Sequence, residues 1–192
     1  MNTRNLYKTA AIALASVAIL SLIGQGQVRA QDEPPFGAPI DVEFASKLWS
    51  ALKDANLVGR KSIRTRPFEG EEPHGKIVTT LEAEVVVDGR TAPAIVKRNY
   101  LGDDITVESV ATFPRENIDA ITVMFQREAG YDPENKNWFW VKYGPGGTVL
   151  ENQKHTKLAG RVARGAEIGC LACHVGAPGE DFVFIHDSFV EE

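Results

Sequence analysis

With 192 residues and a net charge of −5, the chain is long enough for one well-packed domain and too acidic to favour nucleic acid as a partner. Only one segment, at the N-terminus, approaches the length of a helical membrane span. Residues 1–30 read as a secretory signal peptide. Arg4 and Lys8 precede an apolar run from Thr9 to Ile23, and Val28-Arg29-Ala30 places small residues at −3 and −1 of a cleavage site before Gln31. A retained anchor is the competing reading, but the run of about 15 residues falls short of the roughly 20 that cross a bilayer as a helix. Cleavage near Ala30 leaves an exported chain, free of the membrane, with 18 basic against 26 acidic residues. That surface would steer towards a basic redox partner or a small ligand, and is equally ordinary for solubility.

Residues 31–40, rich in proline and charge, read as a flexible leader, and 41–192 as a single domain. Phe44, Leu48, Leu52 and Ala55 fall at helical spacing and predict an amphipathic helix over 41–57, ended by Gly59. Beyond it the pattern changes to strands. Ile77–Val87 is rich in valine and threonine, Asp88-Gly89 is a hairpin signal, and Ala94–Tyr100 follows. Ile118–Arg127 and Trp138–Tyr143 are further β-branched or aromatic runs, and Gly144-Pro145-Gly146-Gly147 turns the chain into Thr148-Val149-Leu150. A short helix is predicted over Glu167–His174, then a Gly/Pro loop and a strand over Phe182–Ile185. The expected fold is α+β: an antiparallel β-sheet with an N-terminal helix and a short C-terminal helix.

That C-terminal helix carries Cys170-Leu171-Ala172-Cys173-His174, the only cysteines in the chain. C-x-x-C-H is the attachment pattern of a c-type haem: two thiols three positions apart reach both vinyl groups of one porphyrin, and the adjacent imidazole meets the iron. A structural disulfide competes poorly, because so short a ring is strained. A thioredoxin-like pair would sit after an early strand, whereas His174 stands 18 residues from the C-terminus. Zinc would need a second Cys/His pair at finger spacing, which the chain lacks. One covalent haem c, iron-ligated by His174, is therefore expected. The export signal agrees, since haem is joined to this motif outside the bacterial cytoplasmic membrane; the expected location is periplasmic.

The iron's second axial position separates electron carriers from sites that bind or activate small molecules. Met124, the only methionine left after cleavage, lies in a strand-like run and reads as core filler. His74, His155 and His186 read first as surface histidines, so an open or weakly held sixth position is expected. Arg161 and Arg164, just before the motif, are candidates to pair with the haem propionates, with a helix-surface role as the equal alternative.

The chain resembles the cytochrome P-460 and cytochrome c′-β family over roughly 73–186. The likeness rests on Pro73-His74-Gly75-Lys76, Ile95-Val96-Lys97, Met124 through Pro133, Asn137-Trp138-Phe139-Trp140-Val141-Lys142-Tyr143, the haem motif with Gly169, and Asp181-Phe182-Val183-Phe184. The resemblance implies haem packed on an antiparallel sheet, a homodimer, and five-coordinate iron held by histidine. It also implies one of two functions. The P-460 enzymes oxidise hydroxylamine towards nitrogen oxides and bind a lysine covalently to the porphyrin; Lys97 matches that lysine, although Arg98 stands where the family has glutamate. The c′-β proteins lack the cross-link and bind nitric oxide or carbon monoxide in an apolar pocket. A structural alternative for Lys97 is a solvent-facing position on an alternating strand.

Hydroxylamine oxidation asks for a base, with Glu128, Glu151, Glu167 and His155 as candidates by residue type, and for an external periplasmic redox partner. Gas binding asks for an apolar wall, for which Phe68, Phe125, Phe139, Phe182 and Phe184 are candidates. A simple electron carrier, with Met124 or a histidine closing the sixth site, is the third and weakest class.

Overall fold

Helix α1 (Pro39–Asp54) opens with proline at its first position, where the fixed φ suits a helix and the missing N–H breaks no bond. Asp41 accepts from the Ala38 backbone N–H at 3.3 Å, and Lys53 lies in the last turn, where its charge suits the helix dipole. The helix stops at Asp54, short of the predicted 57, because Asn56 takes a left-handed φ of 56°. The computed structural model describes residues 35–162, 170–177 and 181–184, all within one unit spanning Asp32–Glu192. The predicted signal peptide, residues 31–34 of the leader, Arg164, Glu167, Ile185 and His186 lie outside the described residues. In the rest of the leader Phe36 bridges Gly160, the Gly37 N–H donates to the Ala159 carbonyl, and Pro39 and Ile40 already belong to α1. This part is held and not a free leader.

Six strands follow: β1 (Phe68–Glu69), β2 (Ile77–Val87), β3 (Arg90–Tyr100), β4 (Ile118–Gln126), β5 (Trp138–Tyr143) and β6 (Ala159–Gly160). They form one antiparallel sheet in chain order, as the α+β expectation requires. A six-residue helix, α2 (Val107–Thr112), bridges β3 and β4, capped by Thr106, whose hydroxyl accepts from the Ser109 N–H. The Asp88-Gly89 turn, with φ of 49° and 78°, joins β2 to β3 as its sequence predicts.

Because side chains alternate along each strand, the sheet has two distinct faces. Ala94, Val96, Ile121, Val123, Phe125, Phe139 and Val141 point to one face and pack with Leu48, Trp49 and Leu52 of α1 in the main core. Ile95, Met124, Trp138 and Trp140 point to the other, where they form a second cluster with Val162.

Two predicted strands are corrected. Thr148–Leu150 forms no strand: Val149 makes an isolated bridge to Tyr143, flanked by the Leu150 N–H donating to the Lys142 carbonyl at 2.9 Å and the Gly144 N–H donating to the Thr148 carbonyl at 2.8 Å. Asp181–Phe184 is irregular, and Phe182 has a left-handed φ of 67° that no strand accommodates. The C-terminal helix α3 (Cys170–His174) is present within the described residues.

Gly147 shows how tightly α1 meets the sheet. Its φ is +94°, and a methyl group there would run into the Trp49 indole. Gly147→Ala is expected to destabilise the fold by roughly 1–3 kcal/mol through overpacking and strain. Thermal unfolding checks this against Gly146→Ala, where a new Cβ meets nothing.

Candidate haem site

The strand registers draw a straight row across the second face: Thr80 pairs with Lys97, Lys97 with Thr122, and Thr122 with Lys142. One pleat repeat away runs an apolar row, Ile95 beside Met124 beside Trp140. Both rows line a cavity of about 560 Å³. That volume is in the range of sites for small molecules and cofactors. Opposite the sheet the cavity is closed by α3, with Cys170, Cys173 and His174, by the Pro73-His74 turn, and by Phe184.

His174 is 8% exposed, wedged edge-on against Trp140 (ring centroids 4.9 Å) and Phe184 (5.4 Å). Its Nδ1 lies 2.7 Å from the Phe182 carbonyl oxygen. A carbonyl only accepts, so Nδ1 carries the proton and Nε2 keeps its lone pair. Burial holds the imidazole below its ordinary pKa, which favours the neutral form a metal needs. The left-handed Phe182 is thus strained where it orients the key imidazole, a placement typical of functional sites. Both cysteines are free thiols with solvent-accessible surface, and both line the same cavity as His174.

Lys97 faces this cavity and not open solvent. Its amine makes no hydrogen bond or ion pair among the described residues, and burial lowers its pKa. His74, read from sequence as a surface histidine, is half-buried with its ring centroid 6.1 Å from that of His174. Burial, then the charges of Lys97, His174 and Lys142, push its pKa down to about 4. Its Nδ1, the Thr80 hydroxyl and the Trp140 indole nitrogen are all buried, have no hydrogen-bond partner among the described residues and belong to cavity residues. Of the eight such atoms among the described residues, these three line the cavity, where a bound group would be able to supply their partners.

The other sequence candidates fall elsewhere. Arg161 does not line the cavity; its guanidinium lies 5.7 Å from the Tyr131 ring centroid and acts on Asp41. Met124 is 6% exposed and contributes to the cavity wall as well as to the second cluster. Glu128 is bound to Arg127 at 2.9 Å, and Glu151 to Lys157 at 2.9 Å, while His155 is exposed; none of the three borders the cavity. Phe125 and Phe139 belong to the α1 core, and of the five phenylalanine candidates only Phe184 lines the cavity. Lys142 and Thr80 carry no site signal of their own in the sequence, whereas His74, one of three histidines considered for the sixth position, lines the cavity and is not a surface residue. For Thr80 the signal is indirect: counting back from the Asp88-Gly89 hairpin places it opposite Lys97.

Comparison with protein-family models, with curated proteins and with solved structures found no match. The test of a haem is therefore chemical. Two free thiols, an imidazole with a fixed tautomer, an apolar row and unpaired polar atoms meet in one cavity, and these residues fit the group. Cys170 and Cys173 would hold the porphyrin edge and His174 Nε2 the iron. Lys142 is a better-placed cation for a haem carboxylate than Arg161, since it lies on the cavity wall.

Proposed function

We propose that this chain is an exported, periplasmic monohaem c-type cytochrome of the P-460 kind, with thioethers at Cys170 and Cys173, that oxidises hydroxylamine towards nitrogen oxides. The observation that carries the enzymatic reading is the polar row Thr80-Lys97-Thr122-Lys142, with His74, on the wall of the His174 cavity. With Lys142 available to a haem carboxylate, a pocket built only to bind a neutral gas has no use for the second amine, Lys97, or for the His74 nitrogen that lacks a partner among the described residues. When bound, haem supplies a redox-active iron from which electrons pass to an external redox partner.

The residues divide the remaining work. His174 presents one nitrogen and is prevented from turning by its bond to Phe182. Lys97, with its pKa lowered by burial, spends more time as a free amine. The lone pair of that form would be needed to replace a porphyrin C–H by a C–N bond, a two-electron oxidation whose electrons would leave to the same external acceptor. His74 Nδ1 and Thr80 Oγ1 are available to hydrogen-bond a ligand N–H or O–H that bulk water does not reach. The apolar row Ile95-Met124-Trp140 excludes water and favours the second reading, a non-enzymatic binder of nitric oxide or carbon monoxide.

The spectrum of the reduced protein separates the two. A strongly red-shifted Soret band that reverts to an ordinary c-haem spectrum in Lys97→Met, together with hydroxylamine oxidation by an added electron acceptor, is the expected result. An ordinary high-spin spectrum unchanged in Lys97→Met, with no hydroxylamine turnover, would instead leave the gas-binding reading.

A further inference from the structure

On β3, the side chain next to Lys97 points to the opposite face, and there the structure contains a second, smaller pocket of about 170 Å³. Its wall includes Arg98, with Arg60, Lys61, Arg64 and Arg115 around it, and no acidic residue. None of these five cations forms an ion pair among the described residues. Arg98 is 4% exposed. Its Nη2 donates to the Leu57 and Ile63 carbonyls at 2.8 and 3.1 Å, which fixes the 57–63 loop against the sheet. Arg115 Nη1 donates to the Arg60 carbonyl at 3.1 Å, and the Ile63 N–H to the Asn56 carbonyl at 2.8 Å. Arg60 and Lys61 therefore stand on a braced loop, held beside Arg98 of β3 and beside Arg115.

We infer that this pocket binds a small inorganic oxyanion of the phosphate or sulfate type. A buried guanidinium is unfavourable without a counter-charge, and carbonyl oxygens supply hydrogen bonds but no net charge. Four further cations, all exposed, surround the same small space and add a positive potential that favours an anion there. Guanidinium groups match oxyanion geometry, with parallel N–H groups meeting pairs of oxygens. The pocket is smaller than the roughly 300–1,000 Å³ of sites for drug-sized ligands, which selects a compact anion. It is a local reversal of sign on an acidic chain, and it does not depend on the haem reading.

The test is a titration of inorganic phosphate into the full chain, followed by ³¹P line width, with sodium chloride matching the ionic strength. Saturable one-site binding, displaced by sulfate and weakened at least about tenfold in Lys61→Ala/Arg64→Ala, is the expected result. Those two side chains are exposed, so the variant keeps the fold, which circular dichroism verifies. No saturable binding at millimolar phosphate would overturn the inference, and so would binding that the double variant leaves unchanged.

Discussion

His174→Ala, matured in a host that attaches c-type haem, is expected to keep its covalent haem but lose the protein's own iron ligand. Its absorption spectrum should change, and free imidazole added from solution should restore it. The reason is geometric. The imidazole is packed against Trp140 and Phe184, and its Nδ1–H is committed to the Phe182 carbonyl at 2.7 Å, so Nε2 is the one ring nitrogen left to bind metal. Removing the ring empties a space into which imidazole fits. A merely structural histidine would give a variant with an unchanged spectrum and no response to imidazole.

Phe139→Ala is expected to have the largest effect on stability, roughly 3–5 kcal/mol. Phe139 is fully buried, with its ring 4.8 Å from that of Phe44 and 6.3 Å from that of Tyr131. Its space is closed by α1 on one side and the sheet on the other, so little can collapse into it. Urea unfolding should register the loss, and the melting temperature should fall by on the order of 10 °C. Because Phe139 faces the α1 core and not the cavity, the loss should be the same with and without haem.

The sequence reading succeeded where the signals were local. Ile77–Val87 and Trp138–Tyr143 are strands with the predicted bounds, because β-branched and aromatic runs end at strong turns such as Asp88-Gly89 and Gly144. The start of β3 was missed because Pro93 argues against a central strand; its pairing with β4 begins only at Ala94, so the missing N–H interrupts no bond on that side. The two-residue strands β1 and β6 carry no period at all.

At the candidate site, Cys170, Cys173 and His174 stand out in the sequence at the spacing that thioether attachment would require, and the structure brings all three to one cavity. His74 does not: it sits on a turn 100 residues away, and only the folded sheet brings it beside His174. The row Thr80-Lys97-Thr122-Lys142 was half legible. The hairpin register gives its first pair, but the connection from Tyr100 to Ile118 hides which β4 residue meets Lys97. Arg161 seemed close to the haem motif in sequence, yet it follows edge strand β6 and is drawn to Tyr131 and Asp41.

Attachment of one haem to Cys170 and Cys173 is read from the intact mass of the denatured protein after expression with c-haem maturation machinery. A gain of one haem that survives denaturation, lost in Cys170→Ser/Cys173→Ser, is the result this account requires. A mass equal to the bare polypeptide under the same conditions would contradict it.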